Sequence, residues 1–188
     1  MTAVQTAPPV AGYIPGTWVI DQSHSEIGFS IRHLMVSKVK GRFGDFSGTF
    51  VTAENPLDSS VEASIDLSSI DTGNADRDAH VRSADFFDVE QHTTMTFRST
   101  GVRAEGDGFV VDGDLSLRDV TRPVTLALDV HGFQAATPFG DTRTGFTATT
   151  EIDRSDFGIA FNAPLEGGGV VLGNKIQITL EIEAVLQP

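Results

Sequence analysis

The sequence has no cysteine, which excludes disulfides, thiolate metal sites and thiol nucleophiles together, so the 188-residue chain must hold itself together by packing. It is also short of positive charge. Lys plus Arg number 13 against 26 Asp plus Glu, a formal net charge of -13. That balance opposes general affinity for phosphate backbones, and nucleic acid is not expected as a partner. Long apolar runs are missing too: nothing approaches the roughly 20 residues of a spanning helix. The start, "MTAVQTAPPVAGYIPG", has neither the basic n-region nor the apolar h-region of a secretory signal, which makes the cytoplasm the expected location. Its Pro-rich composition reads as a flexible tail over residues 1–15, ahead of one folded domain at 16–188.

What remains is mostly strand. In "EIGFSIR" the apolar Ile27, Phe29 and Ile31 alternate with Glu26, Gly28, Ser30 and Arg32, the period of a strand with one wet and one dry face. "KVKGRFGDFSGTFV" continues as a long strand, with Lys38, Lys40 and Arg42 on one side and Val39, Gly41 and Phe43 on the other. Gly44 and Gly48 stand where a bend is expected. "SVEASIDLSSI", "TMTFRSTGVR", "FVVDGDLSL", "PVTLALDVHGF", "TGFTATTEID" and "KIQITLEIEAV" follow, divided by turn signals such as "EGDG" and "RDVTRP". One segment breaks the rhythm. "GNADRDAHVRSADFF" offers Asn74 as an N-cap with Asp76 and Asp78 in the first turn, predicting a short helix at about 74–84.

Many antiparallel strands and one helix suit a closed barrel, because closure removes exposed sheet edges. With eight strands such a barrel is just wide enough for one slim ligand or a plug of side chains. Phenylalanine occurs 13 times, against one Trp and one Tyr, and its ring has no polar handle, so the interior could be long and unable to hydrogen-bond. On composition alone an ordinary β-sandwich core is an equal alternative.

The ordered segments "WVIDQSHSEIGFSIRHLMVSKVKGRFGDFSGTF", "DTGNADRDAHVRSADFFDVE", "TFRST", "GDLSLRDVTRPVTL" and "DRSDFGI" closely resemble the YceI-like family of polyisoprenoid-binding proteins, from about Trp18 to Val185. The resemblance implies an extended eight-stranded, lipocalin-like antiparallel β-barrel with one short helical insertion. It also implies an apolar tunnel for a long isoprenoid such as a polyprenyl alcohol, polyprenyl phosphate or quinone tail. Gly16-Thr17-Trp18 is similar to the opening Gly-x-Trp of lipocalins, whose indole closes one barrel end. Two departures stand out: many relatives carry a proline ahead of the strand that here begins "TTMTF", after His92, and many carry a secretory signal.

Alternation and the implied tunnel together nominate Ile27, Phe29, Ile31, Leu34, Met35, Phe43, Phe46, Phe86, Phe87, Met95, Phe97, Phe157 and Ile159 as ligand-binding. His33, His80 and Arg82 are a candidate polar rim. The alternative for "DRDAHVRSADFF" is a structural network in which Arg77 and Arg82 pair with Asp76, Asp78 and Asp85. Lys38, Lys40 and Arg42 could dock transiently on an anionic membrane or pair across strands with acids such as Glu62 or Asp66.

Catalysis finds less support. The histidines, His24, His33, His80, His92 and His131, include no i, i+4 pair, and no Gly-x-Ser-x-Gly elbow is present, so no metal, cofactor or catalytic residue is expected. The expected function is non-enzymatic binding, storage or transport of a long-chain isoprenoid lipid. The alternative is an enzyme that uses His24, His80 and nearby carboxylates on a prenyl or other apolar substrate. A homodimer is the default expectation for such a barrel.

Overall fold

Alternating segments become strands because one face of each can be buried while the other stays wet. The computed structural model describes residues 6–188. Its strands are β1 (Gly16–Ile20), β2 (Glu26–His33), β3 (Ser37–Phe43), β4 (Phe46–Thr52), β5 (Ser60–Asp66) and β6 (Ile70–Asp71). After α1 (Ala75–Arg82) come β7 (Thr94–Glu105), β8 (Gly108–Leu117), β9 (Val120–Gln134), β10 (Arg143–Asp153) and β11 (Leu172–Leu186). The order β1-β4-β5-β7-β8-β9-β10-β11 returns to β1, whose Trp18 pairs with both Phe50 and Leu186. This is a closed antiparallel barrel of eight strands, as expected.

The three extra strands lengthen the wall. β2, β3 and β6 continue β1, β4 and β5 past short interruptions at Gln22–His24, Gly44–Asp45 and Leu67–Ser69. Three of the chain's one-turn breaks carry the same Asp-x-Ser device, with Asp21, Asp66 and Asp153 accepting from the backbone N–H of Ser23, Ser68 and Ser155. Gly44 thus falls at a real break. Gly48 does not: β4 runs regularly through it, paired with Ala63, and a Cβ there would lie 2.5 Å from Ile20 Cδ1. That glycine makes room for a side chain rather than a bend.

The helix forms where its cap predicts, with the Asn74 side chain accepting from the Arg77 backbone N–H at 2.9 Å. Its arginines do not meet the acids. Arg77 reaches Thr72, and Arg82 donates to the carbonyls of Ser68 (2.8 Å) and Ile70 (3.0 Å), while buried Asp78 accepts from Thr72. The segment is therefore stitched to β6 and the turn before it through backbone oxygens.

β9 and β10 pair only from Gln134/Arg143 to Ala127/Thr149 and then part. The turn Arg154–Phe157 follows the parting and brings Phe157, 2% exposed, into the core. Arg154 fixes it from inside, donating to the carbonyls of Gly173, Ile159 and Phe161 at 2.9, 3.0 and 2.8 Å. Among the described residues it has no ion pair, and burial pushes its pKa down against the opposing field of the neighbouring Asp153 carboxylate. Phe157 and Ile159 join Phe43, Phe46, Ile65, Leu67, Ile70, Leu115 and Leu117 in one packed cluster that fills this end of the barrel.

Candidate ligand cavity

Beyond Ile27 and Met95 the lumen is no longer filled. An internal cavity of about 200 Å³ opens there, more than ten times the roughly 10–15 Å³ that holds one water. Its wall is drawn from inward positions of the ring. Ala63 and Phe97 come from β5 and β7, Phe109 and Val111 from β8, and Val124, Leu126, Leu128 and Val130 from β9. Phe146 and Ala148 of β10 face Ile182 and Leu180 of β11 across the ladder. No Asp, Glu, Lys, Arg or His is among the lining residues.

Aromatic rings wall one end. Trp18 is fully buried, donates from Nε1 to the Thr52 hydroxyl at 2.8 Å, and lies nearly parallel to Phe50 and edge-on to Phe133. Tyr13 stands edge-on to Phe133 at 5.3 Å and donates its hydroxyl to the Ala53 carbonyl at 2.7 Å. Residues 1–5 lie outside the described residues. The remainder of the expected tail lies on the barrel, for Val10 and Tyr13 line the cavity and Ile14 packs on the Trp18 cluster.

Two lining residues, Val51 and Ser60, are exposed, and they face each other across β4 and β5. The cavity reaches solvent at that corner, between them and Val10, Tyr13, Pro56 and Ser59. Three hydroxyls of the wall are already employed: Thr144 donates to Gly132 O, Thr52 to Ile14 O, and Ser59 accepts the Ala53 N–H. The interior can therefore desolvate an apolar chain and offers no charge to bind or to activate anything.

The nominated residues fall into three places. Ile27, Met95 and Phe97 line the cavity. Phe43, Phe46, Phe157 and Ile159 belong to the packed cluster, with Phe29, Phe86 and Phe87 against it. Ile31 lies near the far end of β2, and Leu34 and Met35 form the exposed β2–β3 turn. His33, His80 and Arg82 sit at the packed end, where His80 contacts Asp85, Phe86 and Phe161. What the nomination omitted is the wall of β9 and β11. "VTLALDV" and "ITLEI" carry the cleanest alternation in the chain and were the available signal.

The catalytic alternative lacks a relay. His24 and His80 are at opposite ends, and Ser23 and Asp21 both approach the same nitrogen of His24, Nδ1, at 3.1 and 2.8 Å. A nucleophile relay needs the acid on one nitrogen and the hydroxyl on the other. Asp21, His24 and Glu183 converge within 4.8 Å, yet the Arg143 guanidinium bonds both carboxylates, and a cation would meet that positive charge. Asp21 is held well below the usual carboxylate range by Ser23, then His24 and Arg143.

The barrel, its helical insertion and its single apolar lumen can now be set beside known proteins. A YceI-like domain model matches residues 18–184. The chain belongs to the YceI-like family. A UPF0312 protein of Vibrio vulnificus is 41% identical over 187 residues, spanning 98% of this chain and 93% of the relative. The YceI protein of Campylobacter jejuni shares the fold at a TM-score of 0.71 with 28% identity, over 89% of this chain and 96% of that one. A polyisoprenoid binding domain from Saccharophagus degradans, implicated in plant cell wall breakdown, aligns at a TM-score of 0.67 over 90% of this YceI-like chain and 98% of that one. At 17% identity this last likeness speaks for the fold alone.

Proposed function

We infer that this YceI-like protein binds a long-chain isoprenoid lipid without chemically changing it, and stores or carries it. The observation that carries the reading is the cavity, which is roomy, uncharged throughout and open at one corner. An isoprenoid tail suits it because the chain demands no hydrogen bond, and the polyisoprenoid-binding description of the Saccharophagus relative points the same way. Prenyl alcohols, prenyl phosphates and isoprenoid quinones all supply such a tail.

Burial from water is worth about 0.8 kcal/mol per CH₂. A bilayer interior is equally apolar, however, so the net preference for the protein is small and the bound lipid exchanges with membranes. That favours a carrier or reservoir over permanent retention.

The proposal retains a transient membrane contact and narrows its residues. Arg42 is paired with Asp71 at 3.3 Å, and the suggested acids are occupied elsewhere, Glu62 with Arg98 and Asp66 with the Ser68 N–H. Among the described residues Lys38 and Lys40 have no ion pair, and Arg32 stands directly opposite Lys38. They flank the exposed Leu34, Met35 and Val36, a cationic collar around an apolar tip. This tip is at the barrel end opposite the opening, so it would tether the protein at an anionic surface without presenting the cavity to it.

Organic extraction of the purified protein followed by mass spectrometry tests the central reading. A prenyl lipid in the extract, or uptake of one from vesicles, is the expected result; absence of both overturns it.

A further inference from the structure

We propose that the lipid taken by this cavity carries an uncharged headgroup, a prenyl alcohol or a quinone rather than a prenyl phosphate. The proposal rests on the reading of the cavity as an isoprenoid site and adds its selectivity.

With the tail inside a wall that has no charged residue, the headgroup must stand at the corner where the cavity meets solvent. Tyr13 and Thr52 already donate to the Ala53 and Ile14 carbonyls and Ser59 accepts the Ala53 N–H, while the exposed Ser60 presents a hydroxyl at the opening. An uncharged polar rim of this kind suits a neutral oxygen. A phosphate monoester brings about -1.5 to -2 charges and needs cations or a cluster of N–H donors to replace its hydration.

Among the described residues the corner provides no cation. The loop "TAENPLDSS", residues 52–60, and the segment "TAPPVAGYIPG", residues 6–16, contain no Lys or Arg, while Glu54 and Asp58 are exposed in the loop. Every arginine near this end is already engaged by acid. Arg98 pairs with Glu62, Arg103 with Asp112 and Glu105, and Arg143 with Asp21, Asp141 and Glu183. The lysines without an ion pair among the described residues, Lys38 and Lys40, flank the turn at the opposite end of the barrel, out of reach of a headgroup whose tail fills the lumen. A net charge of -13 adds a repulsive field over the whole surface.

The test offers the native protein a prenyl alcohol, a prenyl phosphate and an isoprenoid quinone of equal chain length, and measures uptake by extraction and mass spectrometry. Alcohol and quinone should be taken up about tenfold more readily than phosphate at low salt, with the gap narrowing as salt screens the repulsion. Equal or preferred uptake of the phosphate overturns the selectivity alone. Uptake of none of the three overturns the isoprenoid reading and the selectivity with it. Glu54→Lys supplies the missing cation at an exposed loop position outside the cavity lining and should raise phosphate uptake while leaving that of the alcohol unchanged. An unmoved ratio in that variant contradicts the electrostatic account.

Discussion

The two halves of the barrel are made from the same alternating strands, yet one is solid and the other hollow. In the solid half, side chains from outside the eight-strand ring join the core: the turn at Arg154–Phe157 brings in Phe157 and Ile159, and the extension of β5 brings in Leu67 and Ile70. In the hollow half none of the described residues crosses the lumen, and the inward side chains of β9 and β11 face empty space. Eight strands leave a lumen just wide enough to be filled by side chains or to hold one slim ligand. An inserted element, rather than strand composition, decides between core and cavity.

The sharpest contrast is truncation on either side of that boundary. Phe157→Ala should cost about 3–5 kcal/mol because it opens a new void in close-packed surroundings. Leu128→Ala, on a wall that already faces a void, should cost about 1–2 kcal/mol. Urea unfolding of both measures the difference, and equal losses would mean that the two halves are packed alike. Next in size is Arg154→Ala, which leaves the carbonyls of Gly173, Ile159 and Phe161 without this donor. A loss of about 1–3 kcal/mol is expected, with proteolysis near residues 154–171 as a second readout.

At the cavity end the Arg143 cluster predicts a pH dependence. The Asp21 carboxyl is held below its ordinary value, chiefly by Ser23, then by His24 and Arg143, so the folded chain binds that proton later than the unfolded one. Its contribution is full above the ordinary value near 3.9 and is lost as pH falls through the lowered one. Asp21→Asn should therefore be the less stable protein at pH 7, with the difference shrinking below about pH 4. Acid unfolding curves of the two check this; a constant gap would contradict it.

The smallest effect belongs to the basic tip. Lys38→Glu with Lys40→Glu replaces the like-charged opposition of Arg32 and Lys38, so stability should change by no more than about 0.5 kcal/mol. Co-sedimentation with anionic vesicles should fall. Unchanged co-sedimentation would remove the cations from any membrane contact.

The strands were legible because period-2 alternation is a local property, and α1 was legible because Asn74 signals its start within three residues. Trp18 at a barrel end was carried by the family resemblance. The division of inward residues between core and cavity was not legible. Phe43 and Leu128 both alternate with polar neighbours, and what separates them is whether Phe157, remote from each in sequence, lies in front. The N-terminal segment was hidden for a similar reason, since its Pro-rich composition says nothing of the groove that holds Tyr13.

The hollow half is the claim on which the rest depends, and Ala63→Trp tests it most directly. Ala63 lines the cavity, between Gly48 and Phe97 on the neighbouring strands. An indole there should fill the space, leaving a folded protein that melts no lower than the parent and takes up no prenyl alcohol from vesicles. Undiminished uptake by the folded variant would contradict the assignment of this cavity as the lipid site.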